Sequence, residues 1–206
     1  MKRFLSLATS ALAMCMPCAF ATNSAAAAIS LSEPMHVHEA KDRVSVSWVD
    51  YRVPAIQLVR ADGTAVLLPK ELDDGRPVIL NFIYTTCETI CPLSSGTFSQ
   101  VQAKLGPERK GVHLVSISID PEQDTPARLR EYAKKFGAGP GWSHYTGTVQ
   151  ATAATLQAFG VNWSDKMSHT PVTLVRAAPG QSWLRIDGFV TPDQLLMHYH
   201  QLLAAR

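Results

Sequence analysis

The stretch Pro77-Val-Ile-Leu-Asn-Phe-Ile-Tyr-Thr-Thr-Cys87-Glu-Thr-Ile-Cys91-Pro92 constrains this chain more than any other. Val78 to Tyr84 is an apolar run of strand length, and it leads into a short loop bounded by two cysteines. From Pro92 onward, Leu93, Phe98, Val101 and Leu105 recur on or near one face of a helix. A proline disfavours helical dihedrals at the residue before it and itself suits the first helical position. The spacing therefore predicts Cys91 at or near the helix N-cap, with Cys87 in the preceding loop. Both sulfurs then lie near the positive end of a helix dipole, which lowers a thiol pKa. Two such thiols suit redox exchange or a soft metal.

The chain opens with the pattern of an export signal. Lys2 and Arg3 form a positive start, an apolar run extends from Phe4 to about Met16, and Ala19-Phe20-Ala21 is an A-x-A cleavage site. The run is broken by Pro17 and falls short of the roughly 20 apolar residues of a membrane span. Residues 1–21 are read as a cleaved signal peptide, an uncleaved anchor being the alternative, and the mature protein as exported with no membrane span. This changes the cysteine arithmetic. Of four cysteines, Cys15 and Cys18 leave with the signal, so the mature chain carries only Cys87 and Cys91. An exported protein with one such pair has a site rather than a disulfide framework.

Loss of Lys2 and Arg3 takes the basic residues from 19 to 17, equal to the 17 acidic ones. A neutral mature chain has no basic face for nucleic acid. Residues 22–46, rich in Ala and Ser, read as a flexible leader. Within it, Met35, His36 and His38 are candidate soft or borderline ligands. A solvated tail with incidental histidines is the preferred reading there.

Residues 47–206 read as one folded domain. Ile56 to Arg60 and Ala65 to Leu68, joined through Asp62-Gly63, form a β-hairpin. After the cysteine helix, Val112 to Ile119 has the continuous apolar character of a buried parallel strand. Pro126 to Phe136 is a helix with Thr125 as its N-cap, and Val149 to Phe159 is another, closed by Gly160. A strand from Val172 to Arg176, a return through Trp183 to Ile186, and a helix capped by Thr191 and reaching Leu203 complete the chain. Strands alternating with helices, with a hairpin at each end, give an α/β sandwich with a central mixed sheet flanked by helices.

Ligands of open α/β sheets bind beyond the carboxyl ends of the strands. The cysteines follow strand 78–84 and Asp120 follows strand 112–119. If strand 172–176 runs antiparallel to its neighbours, its start reaches the same edge, and His169 lies just before it. Cys87, Cys91 and His169 then converge. Two thiolates and an imidazole suit copper, especially Cu(I), whereas a closed structural zinc site takes four protein ligands. For the pair alone, metal and redox chemistry stand as equal alternatives. His169 alone is more often a surface or packing residue. His113, His144, His198 and His200 carry no comparable argument, and Asp120 and Asp124 are read as caps of a turn and a helix.

Phe82-Ile-Tyr-Thr-Thr-Cys87-x-x-x-Cys91-Pro92, followed by Ser116-Ile-Ser-Ile-Asp120-Pro-Glu-x-Asp124-Thr-Pro126, resembles the SCO1/SenC family of copper chaperones. Tyr145-Thr-Gly147 and His169-Thr-Pro-Val-Thr-Leu-Val match in order and spacing, and the resemblance covers about residues 50 to 204. It implies a thioredoxin-like fold and one copper per chain, held by Cys87, Cys91 and His169. It also implies a periplasmic protein without turnover of its own, which delivers copper to, or keeps reduced the thiols of, the dinuclear copper site of cytochrome c oxidase. The implied partners are the subunit carrying that site and other periplasmic copper chaperones.

Two features depart from the family pattern. Ser168 stands where relatives often carry an Asp beside the ligand histidine, and a carboxylate there would orient the imidazole. The loop from Val161 to Ser168 is also short for this family. Pro171 lies where thioredoxin-like proteins hold a cis-proline opposite their cysteines, which adds weight to the alternative, a periplasmic thiol–disulfide oxidoreductase using Cys87 and Cys91. A thiol peroxidase fits less well, because Tyr84 stands where such enzymes place Thr or Ser three residues before the reactive cysteine.

Overall fold

The computed structural model describes residues 44–162 and 170–205. The signal features, Cys15, Cys18, Met35, His36, His38, Ser168 and His169 lie outside these residues. The most apolar runs lie centrally in the sheet: β4 (Val78–Ile83) and β5 (His113–Ser118) are buried along their whole length. They pair in parallel from Val78↔His113 to Ile83↔Ser118. Their connection is α2 (Ile90–Leu105) and a 3-10 turn (Gly106–Gly111), a crossover of the length a parallel pair requires.

Among the described residues, eight strands form one mixed sheet. The others are β1 (Ser45–Val49), β2 (Gln57–Arg60), β3 (Ala65–Leu67), β6 (Trp142–Thr146), β7 (Val172–Arg176) and β8 (Trp183–Asp187), and the order is β1-β8-β7-β4-β5-β6-β2-β3. β6 runs parallel to β5, while β7 runs antiparallel to β4 and β8 to β7. The remaining helices are α1 (Leu68–Leu72), α3 (Pro126–Lys135), α4 (Val149–Ala158) and α5 (Pro192–Ala204). None of the described helices is long and apolar enough to cross a membrane.

Pleating sends successive residues to opposite faces. Ile79, Leu114, Val175 and Leu184 pack with Phe98, Val101 and Leu105 of α2 and with Leu195, Tyr199 and Leu202 of α5. Leu80, Val115, Leu174 and Trp183 pack on the other face, with Leu156 of α4, Phe159 at its C-cap, and Leu68 and Leu72 of α1. This is the thioredoxin-like α/β sandwich that the resemblance implies. The hairpin β2–β3 forms with Gly63 at φ 93°, a left-handed conformation that glycine adopts without steric cost.

Several boundaries differ from the sequence reading. β1 begins at Ser45, two residues into the expected leader, and pairs Ser45↔Asp187 through Val49↔Trp183. The hairpin is therefore not the first element, and β1 lies at the opposite end of the sheet from it. β6 and α1 were not expected. Leu68, read as part of a strand, instead opens α1, with Pro69 in its first turn. α2 starts at Ile90 rather than Pro92, so Cys91 lies inside its first turn. Leu93 is 61 % exposed instead of facing the core. The buried stripe of α2 runs Cys91, Ser95, Phe98, Gln102 and Leu105. At about 100° per residue, Leu93 sits some 200° around the helix from Cys91.

The expected convergence of strand ends holds. The parallel pairing puts the segment after β4 and the segment after β5 at one edge, where Ile119 N–H donates to the Ile83 carbonyl at 2.8 Å. Antiparallel β7 starts at that same edge, and Gly188 N–H donates to the Pro171 carbonyl there at 2.8 Å.

Candidate functional site

Beyond Ile83 the chain leaves the sheet, and its polar backbone groups need new partners. The loop supplies several through sulfur. Tyr84 N–H donates to Cys91 Sγ at 3.4 Å, and Cys91 N–H donates to Cys87 Sγ at 3.3 Å. Cys87 N–H donates to the Tyr84 carbonyl at 3.2 Å, and the Thr89 hydroxyl lies 3.9 Å from Cys87 Sγ. Both cysteines are free thiols, 7 % and 1 % exposed.

The two sulfurs differ in their surroundings. Burial pushes the Cys87 thiol up, but hydrogen bonds from the Cys91 amide, the Tyr84 hydroxyl and the Thr89 amide outweigh it, bringing the thiol down to about 7. Burial pushes the Cys91 thiol well above its ordinary value. The Tyr84 amide relieves this only in part, and the neighbouring Cys87 charge adds to it. Of the two lowered thiols expected, Cys87 is lowered, through these hydrogen bonds, and Cys91 is not, because its desolvation wins. The Tyr84 hydroxyl is itself held protonated, by burial first and by its bond to Cys87 second.

The β5–α3 segment closes the site from below. Asp120 shapes a turn whose carbonyl accepts from the amides of Gln123 and Asp124 at 3.1 and 2.8 Å. Asp124, expected to cap a helix, does not. Thr125 is the N-cap, its hydroxyl accepting from Arg128 N–H at 3.3 Å. Asp124 is 0 % exposed and turns toward the cysteine loop. Its carboxyl oxygens accept from Thr85 N–H at 3.1 and 3.2 Å, from the Thr85 hydroxyl at 2.5 Å and from the Ser118 hydroxyl at 2.6 Å. Sequence reasoning missed Tyr84, Thr85 and Asp124 as parts of the site. The available signal was the surplus polar residue in Asp124-Thr-Pro126, where Thr125 alone suffices as the cap.

Among the described residues, no group of three or more His, Cys, Asp or Glu is placed to hold a metal. Cys87 and Cys91 come together as predicted and offer two soft donors. His169, the expected third, lies outside the described residues. His113 and His144 are buried elsewhere in the sheet, His113 between the Glu71 carbonyl at 3.2 Å and Ser143 Oγ at 3.1 Å. His198 and His200 lie in α5. The arrangement thus provides one poised thiolate and one sheltered thiol at a sheet edge, able to bind a soft metal or to exchange with a disulfide.

The SCO1/SenC family model matches residues 53–204. The SCO1 protein homolog of Bacillus subtilis (strain 168) is 34 % identical over 104 residues, which is 50 % of this chain and 53 % of that protein. The match thus spans about half the length of this curated relative. The solved structure of Bradyrhizobium japonicum ScoI with copper bound is 26 % identical, with a TM-score of 0.59 over 72 % of this chain and 97 % of that one. Arabidopsis thaliana ScoI with copper bound shares the fold at 24 % identity, with a TM-score of 0.64 over 73 % of this chain and 97 % of that one.

Proposed function

The chain belongs to the SCO1/SenC family, and from that premise we propose that it is a copper-binding protein of cytochrome c oxidase assembly, working in the periplasm. It carries one copper and passes it to the dinuclear copper site of the oxidase. The observation that carries this reading is the pair Cys87 and Cys91, two sulfur donors brought together where the loop after β4 enters the first turn of α2, with one thiol already lowered to about 7. Soft thiolates select Cu(I) over harder ions. A relative solved with copper bound supports copper as the cargo. Cys87, Cys91 and His169 would hold the metal, and the cargo supplies no chemistry here beyond its own transfer. The subunit bearing the oxidase copper site is the proposed client, with other periplasmic copper chaperones as donors.

A second reading is favoured by the asymmetry of the thiols. A thiolate near neutrality attacks, and its sheltered neighbour resolves. Cys87 would displace one sulfur of a client disulfide, forming a mixed disulfide and releasing one client thiolate. Cys91, on losing its proton, would then release the second, leaving a Cys87–Cys91 disulfide and passing two electrons to the client. This chemistry would keep the oxidase thiols ready for copper, and it does not need His169.

Titration of the reduced protein with Cu(I) against a competing chelator separates these readings. The wild type should take up one Cu(I) per chain, and His169→Ala should bind more than about tenfold more weakly, a loss at least that of an outer partner of a ligand. A wild type that takes up no Cu(I) rules out copper carriage. Equal affinity in His169→Ala removes His169 from the ligand set.

A further inference from the structure

Asp124 is a side chain that the proposed function does not use and that helix capping does not explain. It is fully buried, and every partner the described residues give it is an amide or hydroxyl donor rather than a cation. A buried carboxyl group held only by neutral donors is a costly choice where an apolar side chain would fill the space. Its bonds join two segments 39 residues apart, the loop after β4 and the segment after β5.

What those bonds grip matters more than their number. Thr85 N–H and the Tyr84 carbonyl belong to one peptide unit, which is planar and rigid. On one side that unit donates to Asp124 at 3.1 and 3.2 Å. On the other, its carbonyl accepts the Cys87 N–H at 3.2 Å. The next amide back, Tyr84 N–H, donates to Cys91 Sγ at 3.4 Å. Rotation of the Tyr84–Thr85 unit would disturb the anchor of Cys87 and the donor to Cys91 together. Hydrogen bonds in such a chain also polarise one another.

We propose that Asp124 is a positioning residue for the cysteine pair: through Thr85 it fixes the Tyr84–Thr85 peptide plane from which the Cys87 backbone and the donor to Cys91 Sγ are set. The role rests on the reading of Cys87 and Cys91 as the working groups. It is mechanical and requires no contact between Asp124 and either sulfur.

The test is Asp124→Asn, which keeps the volume but replaces one acceptor oxygen with a donor. In the metal-free, reduced protein, amide hydrogen exchange is followed by mass spectrometry for a peptide covering residues 84–91 and for one in α5. The expected result is exchange roughly tenfold faster in the loop with α5 unchanged, since local opening free energies differ between regions of one fold. Cu(I) affinity, measured by chelator competition, should fall roughly tenfold or more, as for other partners that orient metal ligands. Unchanged loop exchange, or acceleration spread evenly over the chain, would show a merely structural residue and overturn the proposal. If Asp124→Asn does not fold, Thr85→Val decides. It removes the 2.5 Å hydroxyl bond and leaves the amide, and it should shift loop exchange the same way by less. No shift there overturns the proposal. Because exchange is read without metal, a wild type that binds no copper would end the proposed function and leave this test standing.

Discussion

Cys87 and Cys91 are four residues apart and both nearly buried, so accessibility alone does not set their chemistry; the donors aimed at each sulfur do. Cys87 receives the Cys91 amide, the Tyr84 hydroxyl and the Thr89 amide, while Cys91 receives the Tyr84 amide inside a drier pocket. Cys87 is an acid whose folded pKa lies below its ordinary value, so its thiolate is populated above about 7 and is lost as pH falls through that point. Alkylation of the reduced, metal-free protein with iodoacetamide, mapped by peptide mass, should therefore modify Cys87 with a pH midpoint near 7 and leave Cys91 unmodified across the neutral range. Tyr84→Phe should move the Cys87 midpoint upward, because it deletes a donor to the thiolate. Modification of Cys91 ahead of Cys87 would contradict the assignment.

At the scale of elements, legibility followed burial and repetition. β4 and β5 were readable because strands covered on both faces carry unbroken apolar runs. α5 was readable from Thr191 as its cap, and the structure completes a capping box there, with Gln194 N–H donating to Thr191 Oγ1 at 3.3 Å and Thr191 N–H to Gln194 Oε1 at 3.0 Å. β6 was hidden because Ser143 and His144 interrupt its apolar pattern, and β1 because all but Val49 of its residues are exposed. The site was legible in its sulfurs and not in its supports. Thr85 and Asp124 meet only when two loops fold onto one edge, and no local pattern encodes that meeting. Thr125 and Asp124, adjacent in sequence, should separate cleanly by mutation. Thr125→Ala should cost about 1 kcal/mol of stability, as loss of an N-cap does, while leaving cysteine-loop exchange unchanged. Denaturant unfolding gives the first quantity and hydrogen exchange the second. Faster loop exchange in Thr125→Ala would show that the two positions act as one unit.

Across the whole molecule, a polar row crosses the centre of the sheet: Thr173, Asn81, Ser116 and His144 stand in register on β7, β4, β5 and β6. Part of the row satisfies itself, with Trp142 Nε1–H donating to Ser116 Oγ at 3.0 Å and Ser116 Oγ donating to Asn81 Oδ1 at 2.7 Å. His144 does not share in this. It is 2 % exposed, stacks 5.1 Å from Trp142, and its Nε2 has no hydrogen-bond partner among the described residues. Burial lowers its pKa to about 4, so the ring stays neutral in the fold while it takes a proton in the unfolded chain below about 6.5. The unfolded state therefore binds more protons between these values, and stability falls as pH drops from about 6.5 toward 4. Between pH 7 and pH 4.5 this one residue should remove about 2 to 3 kcal/mol, at 1.36 kcal/mol per pKa unit. His144→Leu fills the same space without a titrating group, so urea unfolding of both proteins at the two pH values isolates the effect from every other ionisation. The wild type should lose about 2 to 3 kcal/mol more than the variant on acidification, and the variant should be no less stable at pH 7, since it no longer buries an unpartnered nitrogen. Parallel losses in the two proteins would mean that His144 is not the group that loosens this sheet in acid.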